Sequence, residues 1–331
     1  MGQGLRRDPC LDIVGLTRNQ FYYKQKGSKP GRTASATTIW RDPVTLTKYE
    51  VENKEVVEKI VEIKLHPDHT NWYRMIAVTL AIMGYYINHK KVYRLMQAYV
   101  LLEPARKKTG RNFVQYRSIV PQGPLRVIEM DIKQLWIHGT RKKAYVFTVI
   151  DTYTRYVLHW DYGYHMTSKQ VESVWQYIIA TYFQPLGIHL EDVRIEVRSD
   201  NGKQFNCHLM EDFFHKNGLS HVFTHPYTPE ENGHIESFHD ILSTALKRDR
   251  FEDLGALKKR LINFYECYNN DRSHSGTKGV PPAKFWALHD LNQVDIIPLE
   301  KNKAKLELKV ALQDILTLPD IYKYQYRVKR A

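Results

Sequence analysis

Hydrophobic and polar positions change their period along the chain. Across Glu52–Lys64, Val56, Val57, Ile60, Val61 and Ile63 recur at helical spacing, which predicts an amphipathic helix. A second helix is predicted over Trp72–Met83, and Gly84 breaks the pattern. Asn88 is placed to cap a third helix, Lys90–Tyr99, with Val92, Leu95 and Met96 on its apolar side and Lys90, Lys91 and Arg94 on its polar side. Helix, glycine turn and capped basic helix form the pattern of a helix-turn-helix module, a pattern that an ordinary three-helix bundle with a solvated basic face also shows. Upstream, Leu11–Lys26 reads as the end of one helix, a turn at Gly15–Leu16 and a helix capped by Thr17. Residues 27–49, rich in Gly, Pro, Ser and Thr, read as a linker.

From residue 125 the pattern turns to strands. Leu125–Ile132, Ala144–Ile150 and Arg155–His165 are predicted strands, joined by short turn-forming segments as hairpins. Thr167–Phe183 follows as a helix capped by Thr167 or Ser168. Val193–Val197 is a short strand running into Arg198-Ser199-Asp200. Phe205–Lys216 is a helix closed by Gly218, and Val222–Thr224 is a last strand. Long helices are predicted from about Asn232 to Arg250 and from Leu254 to Tyr268. This order is βββαβαβα. It gives an α/β class with a mixed sheet covered by helices, preceded by an all-α region.

The chain has 331 residues, of which 43% are hydrophobic and 12% aromatic, too many for a disordered protein. Apolar stretches such as Met75–Met83 fall far short of the roughly 20 residues a spanning helix needs, so no membrane role is expected. The opening MGQGLRRDPC leads into no apolar signal-peptide core. Cys10, Cys207 and Cys267 are far apart, which argues against a disulfide framework or a cysteine-rich zinc site and fits a reducing cytoplasm.

The net charge of +13 is unevenly placed. Residues 1–124 hold 21 Lys and Arg against 10 Asp and Glu, whereas residues 125–290 hold 20 against 21 and residues 291–331 hold 8 against 5. A basic N-terminal arm favours polyanions. The expected organisation is an N-terminal helical DNA-binding segment (1–30), a linker (31–50), a helix-turn-helix DNA-binding domain (51–102), a basic connector (103–124), a core (125–290) and a basic tail (291–331). In the connector, Arg106, Lys107 and Lys108 are candidates to lie along phosphates. In the tail, Lys301, Lys303 and Lys305 alternate, and LELKVALQDIL reads as a small packing element.

Three acids stand out by position. Asp131 lies inside an apolar strand, where a carboxylate is costly unless paired, hydrogen-bonded or metal-bound. Asp200 ends a strand just before Asn201-Gly202, and α/β enzymes place ligand groups at such ends. Glu236 falls near the start of a long helix, where the dipole favours its ionised form. Three carboxylates with no His or Cys among them are hard oxygen ligands that suit Mg²⁺ or Mn²⁺. Two such ions can run in-line displacement at phosphorus.

At this point a resemblance becomes specific. The spacer between the second and third acids, residues 201–235, is 35 residues long. VIDTYTRYVLHW, RSDNGKQF, YTPEENGHIESFH and YNNDRSHSGTKGVPPAKFW occur in order. YRMIAVTLAIMGYYINHKKVYRLMQAYVLL precedes them. Together these segments, over about residues 10–288, resemble the DDE transposase and retroviral-integrase superfamily, in particular insertion-sequence transposases of the OrfB kind. The resemblance implies an RNase H-like five-stranded mixed sheet flanked by helices. It implies that Asp131, Asp200 and Glu236 are catalytic and hold two Mg²⁺ ions, with Mn²⁺ able to substitute. The implied reactions are cleavage that frees a 3′-OH at an element end and attack of that 3′-OH on another phosphodiester. The implied partners are double-stranded DNA (element ends and target), further copies of the chain in a multimer, and an upstream helix-turn-helix protein made as a frameshift fusion. The implied setting is the bacterial cytoplasm, at the nucleoid.

The sequence departs from the family where a Lys or Arg often follows the catalytic Glu by seven residues, because Ser243 stands there. Lys247, eleven residues on, returns to nearly the same helical face and is the candidate DNA contact in its place, together with Asn232, Lys90, Lys91 and Arg94. Asp240 is a rival third ligand that the motif disfavours. Glu129 shares a strand face with Asp131, as a supporting group or a solvated edge residue. Asp151 reads as a structural turn cap. His66 and His69 lack the paired cysteines of a zinc site, so none is expected there. His225, His234 and His239 flank the third acid as structural or DNA-facing groups. Trp136 and Tyr227 are candidates for stacking on bases or for plain packing. Two other functions fit the same residues: a metal-dependent nuclease on this fold, and a non-catalytic DNA-binding regulator.

Overall fold

The computed structural model describes residues 7–23, 34–70, 72–103, 123–188, 195–224, 232–299 and 303–318. Residues 1–36 form one compact unit and residues 37–331 another. In the first, α1 (Arg7–Ile13) is followed by a turn at Gly15 and by α2 (Arg18–Tyr22). Thr17 caps α2 reciprocally: its hydroxyl accepts the Gln20 N–H, and the Gln20 side chain accepts the Thr17 N–H.

The second unit begins with a departure from expectation. Residues 31–50, expected as a linker, contain strand β1 (Thr37–Arg41) and most of β2 (Lys48–Glu52), paired antiparallel from Thr37 opposite Glu52 to Arg41 opposite Lys48. Asp42 builds the turn, its carboxylate accepting the Val44 and Thr45 N–H groups. The Thr, Ile, Trp, Tyr and Val residues on either side are strand formers, so the Thr-rich composition here is that of a hairpin.

Helices α3 (Asn53–Leu65) and α4 (Tyr73–Ile82), strand β3 (Tyr85–Tyr86) and helix α5 (His89–Ala98) follow. The helices lie where periodicity predicts them, and Asn88 caps α5 by accepting the Lys91 N–H. β3 pairs with β1, so the three helices close on a small sheet. Gly84 makes this possible. It has φ +96, and a Cβ there would sit 2.1 Å from the Arg41 carbonyl oxygen.

The main sheet has the order β6-β5-β4-β7-β8. β4 (Val127–Ile137), β5 (Lys142–Asp151) and β6 (Val157–Gly163) are antiparallel, whereas β7 (Ile195–Ser199) runs parallel to β4 and β8 (Leu219–Phe223) parallel to β7. Ile128, Met130, Phe147 and Val149 face α6 (Ser168–Ile178) and α7 (His208–Lys216). Ala144, Val146 and Ile150 face α8 (Gly233–Ala245) and α9 (Leu254–Asn270). This is the expected RNase H-like arrangement, a mixed five-stranded sheet flanked by helices.

β4 is longer than predicted because its alternation continues through Leu135 and Ile137. α8 is shorter, ending at Ala245. After α9 come α10 (Pro282–Asp290) and a hairpin of β9 (Val294–Leu299) and β10 (Lys303–Leu308). Val294 and Ile315 pack with Ile82 of α4 and with Phe285 and Leu288 of α10, so part of the expected basic tail is a packing element.

One contact fixes α8 to the sheet. No side-chain cap comes from Asn232. Instead Glu129 of β4, about 1% exposed, accepts the His234 N–H at 2.9 Å and the Ile235 N–H at 2.8 Å. A strand carboxylate thereby takes two of the helix's otherwise orphaned donors at its positive end. Burial pushes the Glu129 carboxyl up to about 7, against these hydrogen bonds and the nearby Arg155 and Arg198 charges.

Two predictions follow from this architecture. Alanine at Gly218 (φ +68, no atom near its Cβ) costs only the left-handed backbone penalty, about 1 kcal/mol, whereas alanine at Gly84 adds the carbonyl collision and costs more than about 2 kcal/mol; chemical denaturation of both variants measures the gap. For Glu129, a folded-state pKa raised from 4.5 to about 7 means that its stabilising contribution is fully present below 4.5 and is lost as pH rises through 7. Glu129→Gln, which cannot ionise, therefore flattens the fall of melting temperature with pH across that window relative to the parent.

Candidate active site

Asp131 and Asp200 come from neighbouring parallel strands. β4 and β7 are in register with Glu129 opposite Arg198, which sets Asp131 two residues further along β4 and Asp200 just beyond the end of β7. Asp131 lies on the face of β4 that looks toward α8. Its Oδ1 accepts the Ile132 N–H at 2.7 Å, and its Oδ2 lies 3.2 Å from His239 Nδ1. Its cross-strand partner Thr148 is held in turn by Tyr265 of α9, hydroxyl to hydroxyl at 2.6 Å. The strand thus carries its polar residues on one face, where helix groups receive them, and its Ile128 and Met130 on the other.

Asp200 is exposed at the strand end, and its Oδ1 accepts the Gly202 N–H at 3.0 Å. Partial burial raises its carboxyl above the ordinary range, and the charge of Asp131 adds to that rise. A divalent cation bound here would offset the charge that Asp131 places on Asp200. The preceding Ser199 is buried, with its hydroxyl 2.8 Å from His221 Nε2, and burial lowers that imidazole to about 4.

Glu236 is exposed in the first turn of α8. Its helix is held to β4 at two points, Glu129 on the His234 and Ile235 amides and Asp131 on His239. Two strand residues span about 6.6 Å, and the four to five helix residues between these points span about 6–7.5 Å, so the two grips match in length. Glu236 and His239 are three apart and share a face.

The other sequence candidates are placed as follows. Asp151 is fully buried and accepts the Leu125 N–H, the Thr154 N–H and the Thr154 hydroxyl, the structural cap expected of it. Lys90 and Arg94 are exposed on α5. Lys91 is half-buried, and its ammonium donates to the Thr37 carbonyl, tying α5 to β1. Lys247 is exposed but follows the end of α8, so the helical-face argument that aligned it with Glu236 does not hold. Ser243 lies within the helix and bonds the His239 carbonyl. Asn232 is buried, its Oδ1 without a partner among the described residues. Burial, with Arg155 and Arg198, keeps His234 neutral, its pKa lowered to about 3. Trp136 is 48% exposed near the end of β4. Arg106, Lys107, Lys108, His225, Tyr227 and Lys301 lie outside the described residues. Sequence reasoning gave no role to His239 beyond flanking the third acid. The signal was its i+3 spacing from Glu236 on a helix facing β4.

Comparison with known proteins agrees with this architecture. Residues 121–229 and 217–282 each match a model of the integrase core domain. InsK of Escherichia coli (strain K12), named as the candidate transposase of insertion sequence element IS150, is 24% identical over 291 residues, covering 84% of this chain and 92% of the relative. A 31.7 kDa protein of insertion element IS407 from Burkholderia multivorans is 23% identical over 280 residues, covering 84% and 89%. Among solved structures, the catalytic domain of Mos1 mariner transposase matches with a TM-score of 0.37 at 14% identity, over 43% of this chain and 70% of that one. With integrase-core models matched along residues 121–282 and insertion-element relatives aligned along 84% of its length, the chain carries an integrase core domain and is similar to DDE-type insertion-sequence transposases.

Proposed function

We propose that this chain is a DNA transposase that cleaves element-end DNA to free a 3′-OH and transfers it to a second phosphodiester, with Asp131, Asp200 and Glu236 as the catalytic ligands. The observation that carries the reading is the placement of Asp131 and Asp200 on adjacent parallel strands, beside a helix that Glu129 and Asp131 both hold. All-oxygen donors fit Mg²⁺, with Mn²⁺ as a substitute and two ions per site. Bound there, the ions supply Lewis acidity that lowers the pKa of the attacking hydroxyl and stabilises the leaving oxygen.

The protein's own part is positioning. Asp131 and Asp200 each spend one oxygen on a backbone N–H, Ile132 and Gly202, and each such oxygen keeps a second lone pair for a cation. His239 orients the other oxygen of Asp131. Glu236 approaches from a helix, so its carboxylate is delivered by a rigid element. Lys90 and Arg94 on the capped basic helix α5 hold duplex phosphates, and the connector with Arg106, Lys107 and Lys108 extends that contact. Lys91 is assigned to the α5–β1 junction instead of the DNA. The substrate is double-stranded DNA, at element ends and target, and the protein works as a multimer. An upstream helix-turn-helix protein joined by frameshifting is the proposed additional partner.

Strand transfer on labelled element-end DNA with a target plasmid and Mg²⁺ tests the reading. The parent forms joined product, whereas Asp131→Asn, Asp200→Asn and Glu236→Gln each abolish it and retain salt-sensitive DNA binding. Cleavage without joining by the parent would favour a nuclease, and binding with no chemistry a regulator. His239→Ala is expected to lower joining by about 10–100-fold and to raise the Mg²⁺ concentration needed, as loss of a ligand-orienting partner does. Lys90→Ala and Arg94→Ala each weaken duplex binding similarly across sequences and reduce its salt slope by about 1, which a binding titration across salt concentrations measures.

A further inference from the structure

Away from the three acids, the end of α3 and the middle of α9 bring together a second set of side chains. His66 follows α3 directly, His69 lies three residues on, and Cys267 lies on α9. One ligand atom from each lies within 4.8 Å of the other two, and among the described residues this is the set of His, Cys, Asp or Glu groups that meets that condition. Cys267 Sγ is 4.0 Å from His69 Nε2, and the two imidazole rings have centroids 4.6 Å apart. The sequence conceals the group because its sulfur comes from 198 residues away.

Several features point to a ligand. His69 Nδ1 is buried with no hydrogen-bond partner among the described residues, so a flip of the ring that turns this nitrogen toward Cys267 Sγ costs it no bond and gives it a ligand role. Cavities of about 450 and 240 Å³ adjoin the group, both lined by His66, His69 and Asp271. His66 Nδ1 accepts the Asp68 N–H at 3.3 Å, at the long end for such a bond.

We propose that His66, His69 and Cys267 form a Zn²⁺ site, with the fourth position taken by Asp271 or water, that pins the first helix of the helix-turn-helix region to the catalytic core. Two imidazoles and a thiolate are a borderline-soft set that selects zinc over the hard cations suited to the three acids. Tetrahedral zinc, with nitrogen at about 2.0 Å and sulfur at about 2.3 Å, sets those atoms about 3.5 Å apart, so closure from 4.0 Å needs a shift of a few tenths of an ångström. Binding converts the Cys267 thiol to a thiolate and releases its proton to solvent. The clamp falls where Asp68, between the two histidines, already receives Arg260 of α9 through both carboxylate oxygens, at 2.9 and 2.6 Å.

The test uses the full chain, stripped with a chelator and reloaded with Zn²⁺ or Co²⁺. Metal content is measured by mass spectrometry, and the cobalt form by its thiolate-to-metal charge-transfer absorption, which three carboxylates cannot give. The expected result is about one tightly held zinc per chain, a thiolate band in the cobalt form, and a melting temperature that falls on chelation. Cys267→Ser abolishes the band and the chelator effect. His66→Gln, an exposed change that does not threaten folding, weakens zinc binding by more than about a hundredfold. Absence of the thiolate band in the parent, or zinc binding equal to the parent's in folded Cys267→Ser and His66→Gln, would overturn the proposal.

Discussion

The grip of a buried strand carboxylate on the start of a helix organises the face that carries the candidate catalytic acids. Glu129 leaves β4, takes two amide protons of α8 and so decides where that helix begins against the sheet. Asp131, two residues on, meets the same helix one turn later through His239. The acid on the strand and the acid on the helix are thereby tied to one another without relying on the 35 intervening residues after Asp200. Burying an ionisable group for this purpose works against solvation. The cost is only partly offset by the two amides, the helix dipole and the flanking Arg155 and Arg198 charges, and the carboxyl stays raised.

Much of this was legible in the residues. The three helices of 51–102 and the strand order of the core carry strong, regular periodicity, and Thr17, Asn88 and Thr167 announce their helices because a capping oxygen has a fixed place relative to the amides it receives. Asp131 was visible as a charge where an apolar residue belongs, and Asp200 as an acid at a strand end. What stayed hidden depends on tertiary partners. The β1–β2 hairpin looked like linker because Thr-rich composition serves both states, and only pairing with β3 separates them. The end of α8 was overrun because nothing in Leu246–Arg250 forbids helix; there the chain turns, and Asp249 bonds Arg260 instead. Lys91 reads as a basic-face residue, yet its stem is covered and its ammonium serves the Thr37 carbonyl. Glu129 was noted for its face, but its role as a cap required knowing which helix lands on it.

The two metal-relevant constellations differ in kind, and chemistry separates them. One offers oxygen alone, from mid-strand in β4, from the end of β7 and from an exposed helix turn. The other offers nitrogen and sulfur at the seam between helices α3 and α9. Hard and soft donors kept apart in this way would let one chain hold the proposed Mg²⁺ pair and the proposed Zn²⁺ without exchange between the two sites.

The seam has a mechanical meaning as well. Asp68 accepts both Arg260 and, through its backbone carbonyl, Arg272, and Thr79 of α4 meets Ser273 hydroxyl to hydroxyl at 2.8 Å. With Ile82 buried among residues of α10 and the C-terminal hairpin, the helical region is tied to its neighbours at several points among the described residues. A duplex held at α5, as proposed, would load the same packed unit that carries the three acids, so torque applied by the DNA would reach them through these contacts.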